Sequence, residues 1–108
     1  MKSFDLLRFR DAVAAGRIEW RKHVLQRLAE RAIPQEVAFE VLRTGERIEE
    51  YAEDKPFPSA LFLGYNEGNA YHVVAAFDES KEHVYVITVY EPSDNVFELD
   101  NRTRKKHE

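Results

Sequence analysis

Apolar residues in the first part of the chain recur every three or four positions, a spacing that predicts α-helices. Three helices are expected, over 4–15, 21–32 and 34–45. Gly16 suits the end of the first helix, and Pro34 suits the first position of the third. The middle segment has one apolar arc and one polar arc, so it should be an amphipathic helix.

Beyond the third helix the apolar period changes from about 3.6 to 2, which predicts strands. Strands are expected over 59–65, 71–77 and 83–90, with a shorter one over 47–51. The segment 17–20 alternates polar and apolar residues, and we expect a short extended stretch there. The three long strands are joined by connections short enough for hairpins. The predicted fold class is α+β, with N-terminal helices packed on one face of a three- to four-stranded antiparallel sheet.

The register of the predicted hairpins brings candidate polar residues together. A five-residue loop over 78–82 makes His72 face Thr88 on the neighbouring strand. His72, Thr88 and Tyr90 then gather at one end of a sheet face. The rest of that face is apolar: Leu61, Leu63, Val74, Ala76, Val84 and Val86. A one-residue error in the register of either hairpin would separate this cluster. The alternative role of His72 is purely structural, as a histidine hydrogen-bonded to Thr88.

The composition indicates one domain, over 1–101, followed by a basic tail over 102–108 that we expect to be frayed. The chain has 108 residues, with 16 Lys and Arg against 20 Asp and Glu, a formal net charge of −4. No apolar run is long enough to span a membrane, and the N-terminal residues do not resemble a signal peptide. A cytoplasmic location without membrane contact is therefore expected.

The charge is unevenly distributed along the sequence. The balance is +4 over 1–35, −4 over 36–55, −7 over 56–101 and +3 over 102–108. The acidic middle counts against nucleic-acid binding, because RNA binding draws much of its affinity from Lys and Arg. Basic segments that converge near a cleft would leave RNA binding open.

Polar side chains on the second predicted helix form another candidate site. His23, Arg27 and Arg31 are four residues apart, and residues at this spacing are neighbours on a helix surface. An imidazole can transfer a proton near neutral pH, and a guanidinium binds phosphate through paired donors. The alternative is an ordinary solvated helix face opposite the core.

Several classes of site are not indicated. The sequence has no cysteine, which excludes disulfides, thiolate zinc sites and thiol nucleophiles. It has no glycine-rich phosphate loop and no spacing typical of metal-binding His or carboxylate residues. We therefore expect neither a metal nor a cofactor, and any chemistry then depends on His, Arg and Tyr.

Short motifs occur in a fixed order along the chain: Ile18-x-Trp20-x-x-His23-x-x-x-Arg27-x-x-x-Arg31-x-Ile33, Gly45-x-x-Ile48-x-x-Tyr51, Leu63-Gly64, His72-Val73-Val74-Ala75 and Ile87-Thr88-Val89-Tyr90-x-Pro92. Over about residues 6–100 they resemble the bacterial family filed as domain of unknown function 4258. One departure is Ala32, where that family commonly has glycine. The resemblance implies a toxin-like protein with a fold similar to metal-independent ribonuclease toxins. It also carries over the polar positions His23, Arg27, His72, Thr88 and Tyr90.

One hypothesis is a metal-independent ribonuclease that acts on RNA. His72 and His23 would share the acid and base roles, and Arg27 would hold phosphate. Tyr90 would orient the substrate or donate a proton. Arg31 and Thr88 would contribute to substrate binding.

The second hypothesis is a non-catalytic protein-binding module. Its partner would be a small antitoxin-like protein with a basic surface that complements the acidic strand region. This hypothesis needs only exposed charge and a sheet face. Both hypotheses leave the oligomeric state open.

Overall fold

A computed structural model describes residues 3–93, 98 and 100–104 of the chain. Three helices and five strands follow one another in the order α1 (Leu6–Ala14), β1 (Ile18–Glu19), α2 (Lys22–Glu30), α3 (Gln35–Thr44), β2 (Glu46–Tyr51), β3 (Ser59–Asn66), β4 (Asn69–Asp78) and β5 (His83–Tyr90). The predicted α+β class is confirmed. Residues 105–108 of the predicted tail lie outside the described residues.

In the described residues the sheet has five strands and mixed pairing. The predicted antiparallel strands are confirmed, but the number is too small because the prediction lacked β1, which adds a parallel pair. The strand order is β1-β5-β4-β3-β2. β1 pairs parallel to β5, with Ile18 beside Val84, and the Val84 amide donates to the Arg17 carbonyl at 2.9 Å. The remaining pairs are antiparallel. The alternation over 17–20 correctly indicated extended backbone, but a local pattern carries no information about the distant strand with which it pairs.

The three helices pack on one face of the sheet, as predicted, and bury an aromatic cluster there. The Phe9 ring lies between Phe4 and Phe62, with ring centroids at 5.0 and 4.9 Å, and meets Phe77 edge-on at 5.6 Å. All four rings are buried. Stacked and edge-on aromatic pairs stabilise a core beyond the apolar area that they bury. The helices of the described residues therefore all lie on one face of the sheet and leave the opposite face uncovered by helices.

The register predicted for the last hairpin is wrong for two reasons. Asp78 belongs to β4 and pairs with His83, so the loop has four residues, 79–82, and not five. A β-bulge adds a second shift of one residue, and His72 therefore lies opposite Tyr90 and not opposite Thr88. The register shifts between Val74 and Ala75 on β4, and Ile87 is the extra residue on β5. The bulge reverses the alternation of the strand beyond it. As a result Val84 and Val86 belong to the core under the helices and not to the face that carries His72.

No helix in the described part of the chain is long and apolar enough to cross a membrane.

Candidate functional site

The face of the sheet opposite the helices, here called the outer face, is organised in three rows of paired residues. Residues directly opposite in neighbouring strands point to the same side of a sheet. The rows are Glu46–Leu63–His72–Tyr90, Glu49–Leu61–Val74–Thr88 and Tyr51–Ser59–Ala76–Tyr85. Polar side chains occupy the ends of each row, and small or apolar ones occupy most of the middle. His72 is the exception, because it lies in the centre of the first row.

His72 is completely buried and is held by hydrogen bonds on both ring nitrogens. Nε2 lies 2.7 Å from the carbonyl oxygen of Asn101, and Nδ1 lies 3.4 Å from the hydroxyl of Tyr90. A carbonyl oxygen can only accept, so Nε2 carries the hydrogen in the neutral ring. Nδ1 therefore presents its lone pair toward Tyr90.

Burial lowers the pKa of His72 from its ordinary value of 6.5. The hydrogen bond to Asn101 and the charge of Glu49 oppose this shift without reversing it. The imidazole is consequently neutral at pH 7. Burial also raises the pKa of Tyr90, so its hydroxyl keeps its proton.

The lowered pKa of His72 predicts a loss of stability in weak acid. The unfolded chain binds a proton at this residue as the pH falls through about 6.5, before the folded chain does. The free energy of unfolding should therefore decline from pH 6.5 downward, toward the folded-state pKa. Urea unfolding of the wild type and of His72→Gln between pH 7 and 5 checks this. An equal decline in the variant would show that His72 is not responsible.

Glu49 and Arg104 are close enough to His72 to influence its pKa, and Tyr51 is joined to Glu49. Arg104 binds the Glu49 carboxylate with two donors, Nε at 2.6 Å and Nη2 at 2.9 Å. The Tyr51 hydroxyl donates to the same carboxylate at 2.5 Å. Arg104 is the main reason that the pKa of Glu49 is lowered. Burial, followed by the bond to Glu49, raises the pKa of Tyr51 to about 12. These three residues, together with His72 and Tyr90, are called the polar cluster below.

The chain around Asn101 and Arg104 covers His72 from the solvent side. Besides the Asn101 contact, Arg102 pairs with Glu46 at 2.5 Å and Arg104 pairs with Glu49 at 2.6 Å. Both pairs join this covering segment, residues 100–104, to β2. The arginine side chains are about half exposed, at 49% and 51%. The Arg102–Glu46 pair is exposed on both sides and contributes only about 0–1 kcal/mol. The Arg104–Glu49 pair has two hydrogen bonds and a carboxylate that is only 22% exposed, so it holds the segment more firmly.

A second feature of the outer face is a cavity of about 270 Å³ at the side of β5. It is called the side cavity, and its lining consists of Arg21, His23, Asp54, Lys55, Pro56, Phe57, Ala76, Tyr85, Val86 and Ile87. The Phe57 and Tyr85 rings stack at 5.5 Å with only 5° between their planes. The Arg21 guanidinium lies 5.8 Å from the centre of the Tyr85 ring. The cavity thus combines an aromatic stack with basic side chains.

The structure separates the residues that the sequence singled out on α2. His23 is exposed and lines the side cavity. Arg27 lies on the exposed surface, where it pairs with Glu30 at 3.0 Å. Arg31 donates to the carbonyl of Val89 at 2.6 Å and so ties the end of α2 to β5.

His72 and Tyr90 are the two predicted residues in direct contact. Thr88 shares their face of the sheet but lies in the next row, paired with Val74. Glu49 and Tyr51 were missed by the sequence reasoning, although their alternation in the short strand 47–51 was a usable signal. Arg104 had no such signal, because only the folded chain brings it to Glu49. Among the residues that the structure describes, no group of three or more His, Asp and Glu side chains is arranged to bind a metal ion.

The model of the family described as Domain of unknown function (DUF4258) matches residues 20–91. The chain belongs to this family. The part of the chain that matches the DUF4258 model includes His72, Tyr90 and all residues that line the side cavity. It ends before the covering segment. No curated protein and no solved structure matches the chain significantly.

Proposed function

We propose that this DUF4258 protein is a metal-independent ribonuclease of the cytoplasm, with its reaction centre at the polar cluster. The observation that carries the proposal is the geometry around His72. Its Nδ1 lies 3.4 Å from the Tyr90 hydroxyl, and the Glu49 carboxylate, bound by the Arg104 guanidinium, is close enough to influence the pKa of the imidazole. A base, a proton donor and a cation are what RNA cleavage by an internal hydroxyl requires.

The reaction follows from these positions. Nδ1 of His72 takes the proton of the ribose 2′-hydroxyl, and the 2′-oxygen attacks the neighbouring phosphorus. The bond from phosphorus to the 5′-oxygen breaks, and Tyr90 gives its proton to that oxygen. The imidazolium then returns a proton to the tyrosinate across their hydrogen bond. The products are a 2′,3′-cyclic phosphate and a free 5′-hydroxyl.

Arg104 would supply the positive charge for the pentacovalent phosphate. In the structure it binds Glu49 through an ion pair whose arginine side chain is 51% exposed. A phosphate can replace the carboxylate as the partner of a guanidinium, because both groups accept paired hydrogen bonds. RNA binding would thus turn Arg104 from Glu49 toward the substrate. It would also lift Asn101 from His72, which has no exposed surface while that contact is made.

Weakening the hold of the covering segment should therefore raise activity. Glu46→Gln removes the pair with Arg102 but leaves the polar cluster unchanged. We expect the rate of RNA cleavage to rise by up to about fivefold, the equivalent of one exposed ion pair. Steady-state assays with a fluorogenic RNA measure this cleavage rate.

The matched control is Glu40→Gln, which breaks an equally exposed pair with Arg43 on α3 and should have no effect. A Glu46→Gln variant no faster than the control would show that the covering segment does not limit access.

The direct test uses purified protein and single-stranded RNA in the presence of EDTA. Cleavage with cyclic phosphate ends, detected by mass spectrometry, is the expected result. Tyr90→Phe should slow it, because the variant keeps the ring and loses the proton. Intact RNA at every salt concentration, together with no growth defect on overexpression, would contradict the proposal.

The second candidate function is a non-catalytic module that binds a small antitoxin-like protein. One observation favours it: both ring nitrogens of His72 already have partners and the side chain is fully buried, as expected of a structural histidine. This function predicts stable co-purification with a basic partner and unchanged phenotypes in His72→Gln. Loss of a growth defect in that variant, with the fold preserved, would contradict it.

A further inference from the structure

The side cavity is a second site on the outer face, and the reaction centre does not use it. Its lining contains three basic side chains, Arg21, His23 and Lys55, against the carboxylate of Asp54. Asp54 accepts a hydrogen bond from Ser59 at 2.5 Å. Arg21 also pairs with Glu19 at 3.0 Å, but both side chains are about half exposed. Such a pair is weak enough to be exchanged for another anion.

The aromatic stack gives the cavity its specificity. The Tyr85 ring stacks with Phe57 and also lies close to the Arg21 guanidinium. Phe57 is half-buried, so part of its surface remains open to the cavity. Flat apolar rings beside cations are the combination that binds single-stranded nucleic acids, since every base has a π-face and every phosphate is negative.

The size and position of the cavity agree with a single nucleotide as the ligand. Its volume of about 270 Å³ lies just below the range of drug-sized ligand sites, about 300–1,000 Å³. Ala76, in its lining, is four residues from His72 on the same face of β4. At about 3.3 Å per residue the two positions are ~13 Å apart along the strand. An extended RNA strand lying on the outer face would reach both.

We propose that the side cavity binds one nucleotide of single-stranded RNA, with the base against Phe57 and the phosphate at Lys55 and Arg21. This inference rests on the proposed function, because it gives that enzyme a binding subsite away from the bond it cleaves. Remote binding of this kind holds the substrate in register at the reaction centre.

The test measures binding separately from cleavage. A fluorescent single-stranded RNA carrying 2′-O-methyl groups has no free 2′-hydroxyl and cannot be cleaved by the proposed reaction. Its affinity is read by fluorescence anisotropy at several salt concentrations. Phe57→Leu should weaken binding by about 5-fold to 150-fold, the range for loss of one base–aromatic stack. Lys55→Ala should reduce the slope of log affinity against log salt by about 1.

The control variants remove an aromatic ring and a cation at positions outside the side cavity. Tyr65→Leu takes away a ring that is 60% exposed near the end of β3, and Arg43→Ala takes away a cation on α3. Neither should change the affinity. Thermal melting confirms that each variant is folded, and Lys55→Ala alters only an exposed side chain.

The two proposals fail in different ways. If Phe57→Leu and Lys55→Ala bind the RNA as tightly as the wild type, the side cavity is not the subsite, whatever the cleavage assay shows. If Phe57→Leu loses binding while His72→Gln still cleaves unmodified RNA at the normal rate, the reaction centre is wrong and the subsite stands.

Discussion

The His72→Gln variant should lose RNA cleavage by about 10²-fold to 10⁴-fold, the contribution of one positioned acid–base group. Glutamine places an amide nitrogen close to the position of Nε2, so it can still donate to the Asn101 carbonyl that lies 2.7 Å away. Its amide nitrogen is not basic, because the lone pair is delocalised into the carbonyl group, and it cannot take a proton. The substitution therefore removes the base and keeps the buried hydrogen bond. Single-turnover cleavage of a defined RNA measures the loss.

The comparison with His72→Ala makes this result specific. Alanine leaves a cavity and an unpaired carbonyl, so that variant should be both inactive and less stable. Glutamine should be inactive but folded, as judged by circular dichroism and by urea unfolding at pH 7. A His72→Gln variant with full cleavage activity would remove His72 from the mechanism and place the reaction centre elsewhere on the protein.

Gly45→Ala should lower the free energy of unfolding by about 1–3 kcal/mol, the usual effect of overpacking. Gly45 follows α3 directly, and its backbone has an ordinary φ of −71°. Glycine is required there for space. A Cβ would contact the carbonyl oxygen of Val41 and would lie 2.7 Å from that of Leu63. Both carbonyl oxygens belong to a helix or a strand, and their positions are fixed by the backbone. Urea unfolding would measure the decrease in the free energy of unfolding.

Gly64 provides the matched comparison for this prediction. A Cβ at Gly64 would lie 2.7 Å from the Cγ2 atom of Val41, a side-chain atom that a second substitution can remove. In a double-mutant cycle, Val41→Ala should compensate much of the cost of Gly64→Ala and little of the cost of Gly45→Ala. Equal compensation in both cycles would mean that the backbone contacts at Gly45 do not limit packing.

The sequence predicted the parts of this fold that depend on local pattern. The helices and the three long strands follow from apolar periods, and all of them are present in the structure. The resemblance to DUF4258 also came from sequence motifs and is confirmed by the match over 20–91. Periodicity works here because each element must present its own apolar face to the core.

The candidate site could be predicted only in part. The sequence placed Tyr90 and Thr88 on the face of His72, which is correct. It assumed a five-residue loop and an unbroken hairpin. The loop has four residues, 79–82, and Ile87 forms a bulge, and these two shifts of one residue together changed the partner of His72 from Thr88 to Tyr90. A bulge adds one residue without altering the composition of a strand, so no alternating pattern reveals it.

What the sequence by itself determined is the α+β class, the family and the types of side chain available for chemistry, since these depend on residue identity and local spacing. Tertiary structure alone decided which of those side chains meet. It moved His23 to the side cavity, left Arg27 on the surface and brought Arg104 to Glu49, 55 residues away along the chain. The physical reason is that contacts between distant residues depend on how the helices pack on the sheet and on the path of the chain after β5. A local periodicity of apolar residues contains information about neither.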